Sequence, residues 1–160
     1  MSDLISDGKT RVVWVTAIAN INAPTVAELE AGMDLTQRIT PDGLNVAPTT
    51  ADVDTSSLAS RYDTREVGRV GYENEVTLKR GSTPAEDLPY STLVYGTHGH
   101  LVVRRALDFE DAWEAGQQVE VYPTACGERN NVAPAANEVL KYSVPMKVVA
   151  PPATNAVVAA

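Results

Sequence analysis

The fold of this 160-residue chain is predicted most clearly by residues 9–40, KTRVVWVTAIANINAPTVAELEAGMDLTQRIT. Residues 11–18 are rich in β-branched and aromatic side chains and place apolar residues on both faces of the strand that they predict. Thr25 and Glu28 have the spacing of a capping box, in which each side chain accepts a hydrogen bond from the other residue's backbone N–H at a helix start. We expect Gly32 to end this helix in a left-handed conformation, before a second strand. The stretch predicts strand, short helix and strand, and contains no catalytic pattern.

The rest of the chain predicts a mainly β fold. Further strands are expected at residues 73–80, 100–107, 117–125 and 138–149. One more short helix is expected to end at Gly96 and to start either near Thr83 or at Asp87, with Pro89 in its first turn. Because strands and helices do not alternate, we expect an antiparallel β-sandwich or partly closed barrel with flanking helices. One domain should span residues 1–150, followed by a flexible C-terminal tail at residues 151–160, which are rich in Pro, Ala and Val.

Residues 41–60, PDGLNVAPTTADVDTSSLAS, are interpreted as a long loop. A loop of this length in a compact domain usually has a function or orders against a partner, although a solvated surface loop is the alternative. Arg104 and Arg105 should place one guanidinium on each face of their strand, where one of them could pair with acidic groups of a neighbouring subunit, such as Asp52 and Asp54; an exposed charge pair is the alternative. The candidate inter-subunit residues are Leu44, Val46, Asp52, Val53, Asp54, Leu58, Arg104 and Arg105.

Composition excludes several classes of protein. The chain has 21 acidic and 13 Lys or Arg residues, a formal charge of −8, which argues against a protein that grips nucleic acid. Such a charge suits a surface past which a duplex slides, or serves solubility alone. No apolar run approaches the roughly 18 residues of a membrane helix. We therefore expect no membrane partner and synthesis in a cytoplasm. The single cysteine, Cys126, precludes an internal disulfide, which agrees with that compartment.

No residue pattern indicates catalysis. His98 and His100 could face the same side of a strand, but a zinc site needs a third or fourth ligand and the chain has only two histidines. Cys126 lacks a nucleophile motif and is interpreted as a small buried hydrophobe. A solvated turn accounts for three neighbouring carboxylates, Glu110, Asp111 and Glu114. We therefore predict no enzyme activity, no metal and no cofactor.

Two segments resemble a known family. Residues 23–36, APTVAELEAGMDLT, are similar to an "APT-x-AEL-x-AG-x-DLT" segment of the major tail tube proteins of long-tailed phages, especially those with actinobacterial hosts. Residues 96–127 resemble the "GT-x-G-x-LVVRR" and "AGD-x-V-x-VYP" strands of the same family, with Gln117 where an Asp is common. Both likenesses consist of structural residues.

The resemblance implies a structural protein of a non-contractile (siphophage) tail. Such subunits form hexameric rings that stack into a hollow tube for genome delivery. The implied partners are further copies of the chain, the tape-measure and tail-tip proteins, the tail terminator, and passing double-stranded DNA that is not specifically bound. The protein would be made in the host cytoplasm and end in the virion tail. A terminator or head–tail adaptor ring, a contractile-injection tube protein, a β-sandwich ligand-binding module and a small hydrolase are the alternatives.

Overall fold

The computed structural model describes residues 2–160, and the mainly β prediction is confirmed. The elements in chain order are β1 (Thr10–Val15), α1 (Val26–Glu30), β2 (Met33–Asp34), β3 (Ile39–Asp54), β4 (Arg65–Lys79), α2 (Leu88–Thr92), β5 (His98–Arg105), β6 (Gln118–Cys126), β7 (Asn130–Asn131), β8 (Lys141–Val148) and β9 (Ala153–Val157). The start of the later helix predicted at Asp87 is right, since Asp87 is the N-cap and Pro89 lies in the first turn.

The strands form one antiparallel, nine-stranded sheet in the order β2-β1-β5-β6-β8-β4-β3, with β7 added to β8 and β9 to β6. One edge of β6 pairs with β5, while its other edge changes partner along its length. Gln118, Val119 and Val121 pair with β9, and Thr124 to Cys126 pair with β8. The sheet is not closed into a barrel, because its terminal strands β2 and β3 do not pair with each other.

Apolar side chains are buried on both faces of the sheet, as the first strand predicts. Val12 and Trp14 of β1 belong to one core, and Val13 and Val15 belong to the other. The first core comprises Val12, Trp14, Leu35, Val76, Leu78, Leu93, Leu101, Val103, Tyr122, Cys126, Tyr142, Val144 and Met146. The second core comprises Val13, Val15, Leu29, Val102, Trp113, Val119, Val121, Ala153, Ala156 and Val158.

The capping box at the start of α1 is confirmed. Thr25 Oγ1 accepts from the Glu28 N–H at 3.2 Å, and Glu28 Oε1 accepts from the Thr25 N–H at 2.9 Å. The second oxygen of Glu28 accepts from the Ala19 N–H at 2.9 Å. These backbone bonds, that of Thr25 first, lower the pKa of Glu28 because they stabilise its charged form. Local sequence is enough to specify this helix start.

The left-handed conformation expected at Gly32 is wrong. Gly32 is not among the residues with positive φ, and the helix C-cap is Ala31 in a right-handed conformation. A Cβ at position 32 would lie 2.7 Å from Val13 Cγ2 and 2.9 Å from the Trp14 carbonyl oxygen. Glycine is needed here because the turn between α1 and β2 lies too close to β1 for any side chain.

The expected flexible tail at residues 151–160 differs from the structure. Residues 153–157 form β9 against β6, and the Val26 N–H donates to the Ala159 carbonyl at 3.1 Å. Ala153, Ala156 and Val158 are buried in the second core. From sequence alone, these small apolar residues indicate a linker. In the structure they form a strand that covers this core.

The expected loop at residues 41–60 is wrong for most of its length. Residues 39–54 form β3, which pairs with β4 from Ile39 opposite Leu78 to Asp54 opposite Arg65. Only residues 55–64 connect the two strands. Pro, Asp and Asn disfavour a strand locally, but β4 supplies the hydrogen-bonding partner that holds one.

Candidate assembly interface

The outer parts of β3 and β4 form a hairpin that leaves the rest of the protein. Residues 74–79 of β4 also pair with β8, whereas residues 65–73 pair with β3 alone. We call residues 47–73 the arm and the remainder the body. With about 3.3 Å per residue, the paired part of the arm extends roughly 25 Å from the body. Among the residues that the structure describes, no strand pairs with either outer backbone edge of the arm.

One face of the β3–β4 hairpin continues the first core from the body into solvent along the arm. Residues directly opposite each other in an antiparallel pair share a face, so Leu44, Val46, Tyr72 and Val70 lie on one side. Leu44, Val46 and Tyr72 pack against the first core, but Val70 is 54% exposed. An apolar face that runs on beyond its core is a surface that a partner can cover.

The opposite face of the β3–β4 hairpin is polar. Asn45, Ala47 and Thr49 lie on it, paired with Glu75, Glu73 and Gly71. Beyond a register shift between Thr50 and Asp52, three candidate interface residues of β3, Asp52, Val53 and Asp54, are all exposed near the end of the arm. The structure therefore places Leu44 and Val46 at the root of the arm and these three near its tip.

Residues 55–64, which we call the tip, are held by their own hydrogen bonds. The Thr55 N–H donates to the Thr64 carbonyl at 3.1 Å, and the two threonine hydroxyls are 2.8 Å apart. Asp54 Oδ1 accepts from the Ser56 N–H at 2.9 Å, and this backbone bond lowers the pKa of Asp54. The tip is thus ordered without help from the body.

The tip presents apolar side chains to solvent. Leu58 is fully exposed and Tyr62 is 83% exposed. Asp63 is also exposed, and no residue in the described part of the chain pairs with its carboxylate within salt-bridge distance. In a free subunit this leucine contacts water, which is unfavourable for an apolar side chain. On an ordered loop it is well placed to contact a partner.

Arg104 is not a surface residue, which corrects the expectation from sequence. It is fully buried, and its guanidinium donates to the carbonyl oxygens of Asp108 at 2.8 Å and Asp111 at 2.9 Å, and to Gln117 Oε1 at 3.2 Å. The guanidinium carbon lies 4.7 Å from the centre of the Trp113 ring. Burial lowers the pKa of Arg104. Arg104 therefore orders the β5–β6 connection of its own subunit and is removed from the candidate interface.

Arg105 remains exposed. Its Nε donates to Glu120 Oε2 at 2.7 Å, and about half of its side chain is accessible. Within residues 2–160, no acceptor is hydrogen-bonded to its two terminal nitrogens. Arg105 can therefore bind a further carboxylate from outside the subunit.

A groove of about 500 Å³ lies at the seam where the sheet fails to close. Thr10 and Val12 of β1 line one side, and Ile39 and Leu44 of β3 line the other. Residues at its rim and end are Ser6, Asp7, Gly8, Thr36, Gln37, Thr40, Pro41, Arg105 and Phe109. We call this the seam groove. It lies at the root of the arm, whereas the tip lies at the arm's far end.

One polar side chain is buried at the junction of arm and body. Asn74 is 4% exposed and pairs with Val46 and Met146 in the sheet. Neither its amide nitrogen nor its amide oxygen has a hydrogen-bonding partner within the described chain. An unsatisfied buried amide typically costs about 1–3 kcal/mol, so the junction is a weak point of the subunit.

His98 pairs with Ala125, next to Cys126, but His98 is exposed and Cys126 is buried. Among residues 2–160 there is no group of three or more His, Cys, Asp or Glu side chains that could hold a metal ion. The His98 ring lies 2.9 Å from the Gly96 carbonyl. Burial raises the pKa of Cys126 to about 11, so the thiol stays protonated near neutral pH and is a poor nucleophile. No helix of residues 2–160 is long and apolar enough to span a membrane.

Comparison with known proteins found a matching family and similar solved structures. A family described as "Phage tail tube protein" matches residues 1–160. No curated protein matches the chain. Among solved structures, the fold is similar to that of a chain in the "Cryo-EM structure of the anti-feeding prophage (AFP) baseplate, 6-fold symmetrised". The TM-score is 0.53 and the sequence identity 15%, with 92% of this chain and 93% of that chain covered, so the likeness concerns the fold.

Proposed function

Because the chain belongs to the phage tail tube protein family, we propose that it is the repeating subunit of a non-contractile phage tail tube. Six copies form a ring, and rings stack into a hollow conduit for genome delivery. Its partners are other copies of itself, with the tape-measure, tail-tip and terminator proteins at the ends of the tube. The protein acts mechanically, with no substrate and no cofactor.

The arm is the observation that carries this proposal. Val70 on its apolar face is mostly exposed, and within residues 2–160 neither of its outer backbone edges is paired. Burying a fully exposed Leu or Val side chain is worth about 1.5–3 kcal/mol, so contacts along the arm can stabilise an assembly. Exposed strand edges invite further pairing, which a ring or stack of copies uses in an ordered way. A protein that works alone gains nothing from such an arm.

The acidic charge supports a conduit for DNA. The formal charge of −8 is carried in every copy, so a ring of six accumulates a strongly negative potential. Phosphate binding depends on Lys and Arg, which are outnumbered here. A duplex inside such a ring is repelled from the wall and can slide.

Negative-stain electron microscopy of concentrated protein tests the proposal. We expect rings or hollow tubes of uniform width from the full chain. The matched control replaces residues 49–71 with Asn-Gly, a sequence that favours a two-residue hairpin turn, and keeps Tyr72 on the first core. This armless variant should fold and stay monomeric.

Three results would count against the proposal. The first is a full chain that stays monomeric at every concentration, even with tail-tip components added. The second is an armless variant that assembles as well as the full chain. The third is a single ring that never stacks, which would indicate a terminator or adaptor instead.

A further inference from the structure

We propose that the tip of one copy seats in the seam groove of a second copy, with Leu58 on the apolar lining and Asp63 facing Arg105. This inference rests on the proposed function and names the surface that receives the arm. It uses two features that a single subunit leaves unexplained, an ordered tip with an exposed leucine and an open seam in the sheet.

The tip is built as an anchor. Its backbone is already fixed by hydrogen bonds between Thr55 and Thr64 and between Asp54 and Ser56. Little conformational entropy is therefore lost when Leu58 binds. A single well-ordered apolar side chain that fills a pocket can dominate an interface.

The tip cannot reach the groove of its own subunit. Leu44 lines the groove, and Asp54 stands ten residues further along the same strand. At about 3.3 Å per residue the two are separated by roughly 33 Å. The intervening backbone is a paired hairpin and does not fold back on itself. The receptor must therefore lie on another copy.

The groove offers suitable chemistry. Its volume of about 500 Å³ is typical of pockets that bind small molecules, so it is large enough to receive a leucine side chain. Val12, Ile39 and Phe109 supply an apolar lining, while Thr10 and Thr36 supply polar groups at its side. An aliphatic side chain with polar neighbours matches this lining.

Charges at the two surfaces are complementary. Arg105 lines the groove and keeps both terminal nitrogens without a hydrogen-bonded acceptor in the described chain. Asp63 lies one residue from the exposed Tyr62 and has no salt-bridge partner there. Asp54 already accepts the Ser56 N–H, which leaves Asp63 as the better acceptor for Arg105. Such a rim pair favours the correct register of two copies.

Disulfide trapping tests the contact. Leu58→Cys in one batch of full-length protein is mixed with Gln37→Cys in another, since Gln37 is exposed and lines the groove. Under mild oxidation we expect a cross-linked dimer between the two variants, and a ladder of covalent oligomers from the double variant. The native Cys126 is buried and does not interfere.

The control pairs Leu58→Cys with Glu30→Cys. Glu30 is equally exposed, but it lies on α1, whose Leu29 packs in the second core on the face of β1 opposite Val12. The tip–groove pair should cross-link faster than this control by on the order of tenfold, because seated thiols have a high effective concentration. A rate no higher than that of the control overturns the inference.

A charge reversal sharpens the result. Arg105→Glu in the groove variant should slow the cross-linking, and Asp63→Arg in the tip variant should restore it. If the combined reversal stays as slow as the single one, Asp63 does not face Arg105 and the stated register is wrong.

Electron microscopy of the unmodified protein in parallel separates this inference from the proposed function. Stacked rings without tip–groove cross-linking would support the proposed tube and contradict the seam groove as the receptor of the tip. Cross-linking without rings would support the tip–groove contact and contradict the proposed ring assembly. The absence of both would count against both.

Discussion

The body and the arm share one strand, β4, yet the same kind of side chain is buried in the body and exposed in the arm. Val76 and Leu78 are fully buried in the first core, whereas Val70, on the same face further out, is mostly exposed. Residue type alone does not distinguish these positions, because each is an aliphatic residue on the same face of the strand. The difference shows that alternation marks a face to be covered, and that the covering partner can lie outside the subunit.

The largest effect is expected from truncation in the body compared with truncation in the arm. Leu78→Ala should lower the free energy of unfolding by about 2–5 kcal/mol, because it leaves a cavity in the first core. Val70→Ala should change it by less than about 0.5 kcal/mol, since Val70 is exposed. Urea unfolding measures both. A large loss of stability with Val70→Ala would mean that the arm is already covered in the isolated protein.

The adjacent arginines allow a second comparison, now within β5. Arg104→Met should destabilise the body by about 2–3 kcal/mol, because the carbonyl oxygens of Asp108 and Asp111 lose their donor in a buried site. Arg105→Met, which breaks an exposed ion pair, should cost less than about 1 kcal/mol. Thermal unfolding of the two variants measures the difference. Equal shifts would contradict the division between the buried and the surface arginine.

A smaller effect, of opposite sign, is expected at the junction of body and arm. Asn74→Leu should raise the free energy of unfolding by about 1–2 kcal/mol, because it removes an amide that is buried without a partner. The control is Asn45→Leu on the exposed polar face, which should give no such gain. Chemical unfolding of both variants checks this. A destabilised Asn74→Leu protein would indicate that the amide is hydrogen-bonded through solvent.

Local patterns in the sequence predicted the elements that depend on neighbouring residues. The reciprocal bonds of Thr25 and Glu28 involve residues three apart, and they form as expected. The inward faces of β4 and β8 follow from simple alternation, and Val76, Leu78 and Val144 are fully buried.

Errors arose where the outcome depends on residues far along the chain. Residues 41–54 resemble a loop until β4 pairs with them, and residues 153–157 resemble a linker until they lie on β6. Which of Arg104 and Arg105 is buried depends on the fold of residues 108–117, which supply the acceptors.

Two of the candidate interface residues, Leu58 and Asp54, lie at the end of the arm, and their role in a contact stays a prediction. The seam groove could not be foreseen from the sequence. Its lining comes from β1, β3 and the β5–β6 connection, and no local motif marks their meeting. The residues carry no catalytic signature, so only the family resemblance indicated a function.

The arm leaves the body on one side only, and this gives any stack of copies a direction. If each tip occupies the groove of the next copy, one end of the stack displays empty grooves and the other displays free arms. The two ends then differ in chemistry: a protein that starts the stack must present one of these surfaces, and a protein that stops it must present the other. Growth can therefore proceed from a single end, and the initiating and terminating partners cannot exchange places.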